Sequence, residues 1–238
     1  MVSAYGWTQR WWAPAGPLRH NDVVDSSRLS AWRPGVAYRE QVLPRLVECA
    51  CGSRDLHRWR RRTTDGLSGE LLEIGFGSGL NLGHYGPDVS LIRAVEPSPG
   101  ARRRSERRIA DQSIPVEHLD LEAESLPLED ASCDGALSTF TLCTIADVER
   151  ALAEVYRVVR PGGRFHFLEH GIAPDVRVQV WQRRLEPIQR RVAGGCHLTR
   201  DPVALVERAG FEIDSVEQRY GRGPRPWTYF TLGIARRP

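Results

Sequence analysis

The run Glu70-Leu-Leu-Glu-Ile-Gly-Phe-Gly-Ser-Gly79 constrains this chain more than any other segment. A short apolar stretch carrying an acid, Glu73, gives way to glycines at positions 75, 77 and 79. A strand that breaks into such a turn lets a small cofactor lie against bare backbone, because glycine reaches positive φ and has no Cβ. The spacing also separates two kinds of nucleotide site. The dinucleotide fingerprint Gly-x-Gly-x-x-Gly requires glycine at position 80, where this chain has Leu80. That departure counts against a nicotinamide-dependent oxidoreductase.

From residue 70 onward, short apolar runs alternate with amphipathic segments. Strands are predicted at 70–74, 90–95, 115–119, 133–138, 163–168, 211–217 and 227–235, with helical stretches near 79–85, 99–111 and 146–159 and a loop at 121–132. This alternation predicts an α/β, Rossmann-like domain with a mostly parallel sheet and helices on both faces. Pro161-Gly162-Gly163 reads as a helix stop and a turn into the next strand. Open sheets of this kind bind ligands at the carboxyl ends of their strands. Attention therefore falls on Glu73 to Gly79, Glu96, Glu122, Ser138 to Phe140, and Glu169 to Gly171.

Composition narrows the partners. The 33 basic residues are all arginine, yet the net charge is only +3, so no nucleic-acid partner is expected. Five cysteines are an odd number, and Cys49-x-Cys51 has no second pair or histidine at zinc spacing. Reduced cytoplasmic thiols and no metal are the expectation. No apolar run reaches the ~18 residues of a membrane span, and the N-terminus lacks a signal-peptide layout.

Residues 1–35 hold four of the seven tryptophans and read as a loosely structured arm, with the remaining domain at 36–238. Helical spacing over 36–63 ends in the basic cluster Arg58 to Arg62, which reads as a solvated helix face. The arginines of 100–108 read the same way. Residues 176–192 are amphipathic, with Val180, Trp181, Leu185 and Ile188 apolar. They are expected to form a lid on the sheet edge, or to touch a membrane surface peripherally, with Pro187 kinking or dividing the helix.

Glu96 closes the second predicted strand 17 residues after Gly79, where its carboxylate can accept from both hydroxyls of a ribose. Next come Glu122-Ala123 before Leu126-Pro127, then Ser138-Thr139 at the end of the fourth strand, then Val158-Val-Arg-Pro-Gly-Gly-Arg-Phe-His-Phe-Leu-Glu169-His170. Read in order, these segments resemble the class I S-adenosylmethionine (SAM)-dependent methyltransferases, especially the branch with quinone and phospholipid methyltransferases. The resemblance implies SAM as cofactor. It implies a site made by Glu73, Gly75, Gly77, Ser78, Gly79, Glu96, Glu122, Ala123, Ser138 and Thr139, with Glu122 and Ala123 on the adenine and Ser138 and Thr139 beside the sulfonium. It also implies a seven-stranded sheet whose last strand runs antiparallel.

Leu142-Cys143, Glu169-His170 and Gly194-Gly-Cys-His-Leu-Thr-Arg200 further resemble a subgroup whose animal members methylate small alkyl thiols. Those relatives carry a membrane-anchoring hydrophobic stretch where this chain has its polar, Trp-rich arm. The implied partner is a small-molecule acceptor of modestly apolar character: a thiol, hydroxyl, amine or quinol. Deprotonating a thiol or hydroxyl calls for a base. His170 is a candidate by its place at a strand end, and His197 by the family-like segment around it. Cys143 and Cys196 read first as small buried packing residues. A nucleic-acid methyltransferase and a non-catalytic SAM-binding protein are the rival readings.

Overall fold

The computed structural model describes residues 38–119 and 123–238; the arm expected at 1–35 and Glu122 lie outside the described residues. Seven strands form one sheet in the order β3-β2-β1-β4-β5-β7-β6. They are β1 (Gly69–Ile74), β2 (Val89–Val95), β3 (Val116–Leu119), β4 (Cys133–Thr139), β5 (Val159–His170), β6 (Glu212–Tyr220) and β7 (Tyr229–Arg236). β1 pairs in parallel with β2 and β4, and β7 pairs antiparallel with both β5 and β6. The expected antiparallel last strand is thus present. Strand order reverses between β1 and β4, which opens a crevice at their carboxyl ends.

Among the described residues the α-helices are α1 (Leu43–Cys51), α2 (Arg54–Thr64), α3 (Pro99–Ala110), α4 (Val148–Val158), α5 (Val176–Val192) and α6 (Pro202–Arg208). Four begin at side-chain caps: Ser98, Asp147, Asp175 and Asp201 each accept from a first-turn backbone N–H. Neighbouring residues of β1 serve opposite faces of the sheet. Leu72 and Ile74 join Leu152, Val155, Phe165 and Phe167 on one face, and Leu71 joins Phe76, Ile92 and Leu137 on the other. A separate cluster seats Leu56 and Trp59 of α2 on Leu168, Phe230 and Leu232. Helix α2 is therefore fixed to β5 and β7.

Three local expectations need correction. The helix expected near 79–85 is only a 3-10 turn, Leu82–His84. Gly79, Gly83 and Gly86 punctuate that stretch, and the Asn81 side chain is bonded inward to Glu73 and Thr139. Pro161-Gly162-Gly163 does not separate helix from strand, because β5 already begins at Val159. The extra residues form an irregularity against β4, where pairing jumps from Cys133↔Val159 to Gly135↔Arg164, with Gly162 at φ 78°. Pro187 sits inside an undivided α5. It is exposed, so the carbonyl it leaves without an N–H faces water.

The orientation of α5 also differs from expectation. Val178 and Gln182 are its buried residues, while Val176, Val180, Trp181, Ile188 and Val192 are exposed. Gln182 sets this rotation. Its Oε1 accepts from the Ala173 N–H at 3.0 Å, and its Nε2 donates to the carbonyls of Gly171 at 2.9 Å and Pro226 at 3.1 Å. Among the described residues no helix is long and apolar enough to cross a membrane.

Candidate active site

The glycine turn leaves β1 with all three glycines at positive φ: 71° at Gly75, 60° at Gly77 and 75° at Gly79. Their surroundings divide them. A Cβ on Gly75 would collide with the Thr141 side chain, and one on Gly79 would press on Leu82 and Phe76. A Cβ on Gly77 would meet nothing nearer than the Gly75 carbonyl oxygen at 3.8 Å. Gly75 and Gly79 therefore serve the protein's own packing, and Gly77 alone presents bare backbone to open space.

Glu96 stands opposite that opening. Its Oε2 accepts from the Gly77 N–H at 2.9 Å and its Oε1 from the Ser98 N–H at 2.8 Å. Each oxygen keeps a further lone pair, so the carboxylate can accept from two ribose hydroxyls. Burial pushes the Glu96 carboxyl up, and the two backbone donors oppose that shift. The bare backbone at Gly77 and the remaining acceptor capacity of Glu96 fit SAM. Ser78 is buried, and its carbonyl accepts from Arg108 at 2.9 Å. Ala123 is buried in the core cluster beside Leu119 and Leu126.

Glu73, Ser138 and Thr139 take a different place. Glu73 has no exposed surface; its Oε1 accepts from Asn81 Nδ2 at 2.8 Å and its Oε2 from the Tyr85 hydroxyl at 2.5 Å. Burial raises its carboxyl to about 7, against the lowering effect of Tyr85 and Asn81. Thr139 Oγ1 accepts from Asn81 Nδ2 at 3.0 Å and from Arg60 at 2.9 Å. The Ser138 hydroxyl donates to Glu169 Oε1 at 2.7 Å. These side chains hold the turn and the strand ends in place from beneath.

Arg60 is the hub of that arrangement. The cluster Arg58 to Arg62 was expected to be a solvated face, yet Arg60 is only 4% exposed. It donates to Asn81 Oδ1 at 2.7 Å, to Thr139, and through Nε and Nη2 to the Cys51 carbonyl. The basic helix α3 is also less free than expected: Arg104 and Arg108 both pair with Glu48 of α1. Spacing alone does not separate Arg60 from its exposed neighbours Arg58 and Arg61. The apolar residues Leu56 and Trp59 were the available sign that this face of α2 turns inward.

At the other side of the crevice, β5 ends in Glu169 and His170. Glu169 Oε1 accepts from Ser138 and from the Thr141 N–H at 3.0 Å. Glu169 Oε2 and His170 Nδ1 are buried and make no hydrogen bond among the described residues. His170 Nε2 lies 3.0 Å from Cys196 Sγ, and the His197 N–H donates to the Cys143 carbonyl at 2.8 Å. The ligand atoms of Cys143, His170 and Cys196 all lie within 4.8 Å of one another. Contact with Cys143, and with His170 after it, pushes the Cys196 thiol down against the opposing effect of burial, while the Cys143 thiol is pushed up by the same contact and by burial.

The second candidate base, His197, is oriented separately. Its Nδ1 lies 3.1 Å from Glu186 Oε1, and Glu186 Oε2 accepts from both the N–H and the hydroxyl of Thr199, at 2.9 and 2.6 Å. The structure thus brings both candidate histidines beside the Cys143–Cys196 pair, His170 through its side chain and His197 through its backbone N–H. It adds the two cysteines, which sequence reasoning had set aside as packing.

A strand order reversing at β1 and β4, an antiparallel β7 and a glycine turn facing an acid at the end of β2 together define the class I SAM-dependent methyltransferase fold. A solved structure of a putative methyltransferase from Bacillus halodurans shares it, with a TM-score of 0.63 at 14% identity over 76% of this chain and 98% of that one. A family model described as a methyltransferase domain matches residues 72–167. The chain is 33% identical over 173 residues to the thiol S-methyltransferase TMT1A of Homo sapiens, covering 68% of each. It is 33% identical over 171 residues to TMT1B of Rattus norvegicus, covering 68% of this chain and 66% of that one. The chain belongs to the SAM-dependent methyltransferase family that includes these thiol S-methyltransferases.

Proposed function

We propose that this enzyme transfers the methyl group of SAM to the sulfur of a small, modestly apolar thiol. One observation carries the reading: three separate segments, Leu142-Cys143, Glu169-His170 and Gly194–Arg200, converge into one sulfur- and imidazole-bearing cluster at the strand ends. The relatives named above, whose names specify thiol S-methylation, support it.

When bound, SAM supplies an electrophilic methyl on a sulfonium leaving group. The chain's own part is to position and to deprotonate. Glu96 would hold the ribose hydroxyls, the backbone of Gly77 and Ser78 would face the cofactor, and the resemblance assigns Glu122 and Ala123 to the adenine. Gly75, Gly79, Glu73, Ser138 and Thr139 keep those elements in register, the last three through Asn81, Tyr85, Arg60 and Glu169. His197 takes the proton of the thiol: Glu186 fixes its ring through Nδ1 and leaves Nε2 as the acceptor. His170 contributes through its contact with Cys196. Positioning of this kind is worth up to roughly 7–11 kcal/mol in favourable cases.

Residues 36–238 form the methyltransferase domain in this reading. The five cysteines, all free, suit a reducing compartment such as the cytoplasm. The exposed apolar row of α5, interspersed with arginines, is the face for peripheral contact with a membrane that holds an apolar acceptor.

The test is release of S-adenosylhomocysteine from SAM with a panel of thiols, phenols, quinols and amines, with Gly77→Arg as the cofactor-blocked control. Turnover confined to thiols and lost in the control is the expected result. SAM binding with turnover only on oxygen or nitrogen acceptors would overturn the choice of acceptor.

A further inference from the structure

The cluster at the acceptor end is more than a place for sulfur. Cys143 follows β4, His170 ends β5, and Cys196 lies in the loop after α5, so their meeting is a product of the fold. Both thiols are buried and the imidazole is half-buried. Their three donor atoms lie within 4.8 Å of one another, with His170 Nε2 at 3.0 Å from Cys196 Sγ. The surrounding backbone is held: the His197 N–H donates to Cys143, the Cys196 N–H to Ala193 at 3.1 Å, and the Gly195 N–H to Arg190 at 2.9 Å.

Two thiolates and an imidazole are the donor set of tetrahedral zinc with one open position. Hard cations, which prefer a cage of oxygens, do not suit it. Zinc binds sulfur at about 2.3 Å and imidazole nitrogen at about 2.0–2.1 Å, which sets the donors roughly 3.6–3.8 Å apart around a tetrahedral ion. The His170 Nε2–Cys196 Sγ pair at 3.0 Å opens slightly, and any pair near the 4.8 Å limit closes by roughly an ångström.

We propose that Cys143, His170 and Cys196 bind one Zn²⁺, and that the fourth position takes the sulfur of the acceptor thiol. The second half rests on the thiol reading above. On binding, the S–H bond breaks, a sulfur–zinc bond forms, and the proton is released, finally to solvent. No oxidation state changes. The acceptor then meets SAM as a thiolate held in place, at a pH where a free alkyl thiol is mostly protonated. The thiols of Cys143 and Cys196 are metal ligands in this arrangement and do not themselves accept methyl groups.

The experiment uses the full chain, purified under reducing conditions without chelator. Zinc is measured by mass spectrometry, and Co²⁺ is then substituted as a spectroscopic probe. About one zinc per chain is expected, with a tetrahedral, thiolate-rich Co²⁺ spectrum that shifts when an alkyl thiol is added without SAM. Cys196→Ser and His170→Gln should each weaken metal retention by at least about tenfold, while thermal unfolding followed by circular dichroism shows that the variants fold. Reduced wild-type protein that takes up neither ion overturns the proposal, as does a Cys143–Cys196 disulfide whose reduction yields no metal binding. S-adenosylhomocysteine release is measured on the same samples. Metal-free protein that still methylates thiols overturns the zinc site and leaves the thiol reading intact. Zinc-loaded protein whose Co²⁺ spectrum ignores thiols and which methylates none of them overturns the thiol-binding role and that reading together.

Discussion

Gly75 and Thr141 share one small volume: a Cβ on Gly75 would sit 2.6 Å from the Cβ of Thr141 and overlap its hydroxyl and methyl. The first glycine of the turn is therefore demanded by the chain segment after β4. Gly75→Ala combines positive-φ strain with overpacking, and should cost about 2–4 kcal/mol of stability. Gly77→Ala meets only open space and should cost about 1 kcal/mol while weakening SAM binding. Denaturant unfolding and calorimetric titration of both variants check the contrast. Equal stability losses would refute the division of roles between the two glycines.

The pH dependence of folding should carry the signature of Glu73. Its carboxyl stands at about 7 in the folded protein against an ordinary value of 4.5. The folded state then binds the proton more tightly than the unfolded state, so stability is highest below the unfolded value and falls as pH rises towards 7. The full effect is on the order of 3 kcal/mol. Glu73→Gln cannot ionise and should lack this slope between pH 5 and 8. Parallel pH profiles for the two proteins would rule the account out.

Arg60→Met should destabilise the fold by roughly 2–4 kcal/mol, since it leaves Asn81 Oδ1 and the Cys51 carbonyl without this donor and Thr139 Oγ1 with only that from Asn81. Arg60→Lys should recover little of that loss. A single ammonium cannot reproduce a planar fork that reaches three separated acceptors. A lysine variant with wild-type melting behaviour would show that charge alone matters at this position.

The segment after Ala123 is clamped from α4. Glu154 Oε2 accepts from the Leu126 N–H at 2.9 Å, and Arg157 donates to Leu126, Leu128 and Asp130. Hydrogen bonds from Arg157 hold the Glu154 carboxyl down at about 2. Its contribution to stability is complete above pH 4.5 and is lost as pH falls through about 2. The melting difference between wild type and Glu154→Gln should thus be constant above pH 5 and shrink in stronger acid. A difference that grows on acidification would count against the clamp.

The sheet was legible because its central strands β1, β4 and β7 are buried on both faces and read as apolar runs, and because the acid–glycine turn has a spacing few sites share. Glu96 was legible because it closes a strand 17 residues after Gly79, at the carboxyl edge of the sheet where ligands bind. What escaped was cooperation across the sequence. Arg60 looks like Arg58 and Arg61 until the seating of Leu56 and Trp59 on β5 and β7 turns it inward. Asn81 and Tyr85 sit in a stretch whose helical spacing concealed two inward hydrogen bonds to Glu73. Cys143 and Cys196 are 53 residues apart, so a search for closely spaced ligands could not pair them. Hydrophobicity alone could not choose between a lid and an outward apolar face for α5, because the choice is made by the three backbone groups that claim Gln182.

The bonds from Arg60 to Asn81 and Thr139 carry a consequence for where this domain starts as an inheritable unit. The family model begins at residue 72, inside β1, yet the turn it describes is anchored by a guanidinium from α2. A graft or truncation cut at that boundary would move the recognisable motif without its foundation. Helix α2 then acts as a constraint on how the cofactor turn is able to diversify. A change at Asn81 or Thr139 must be answered at position 60.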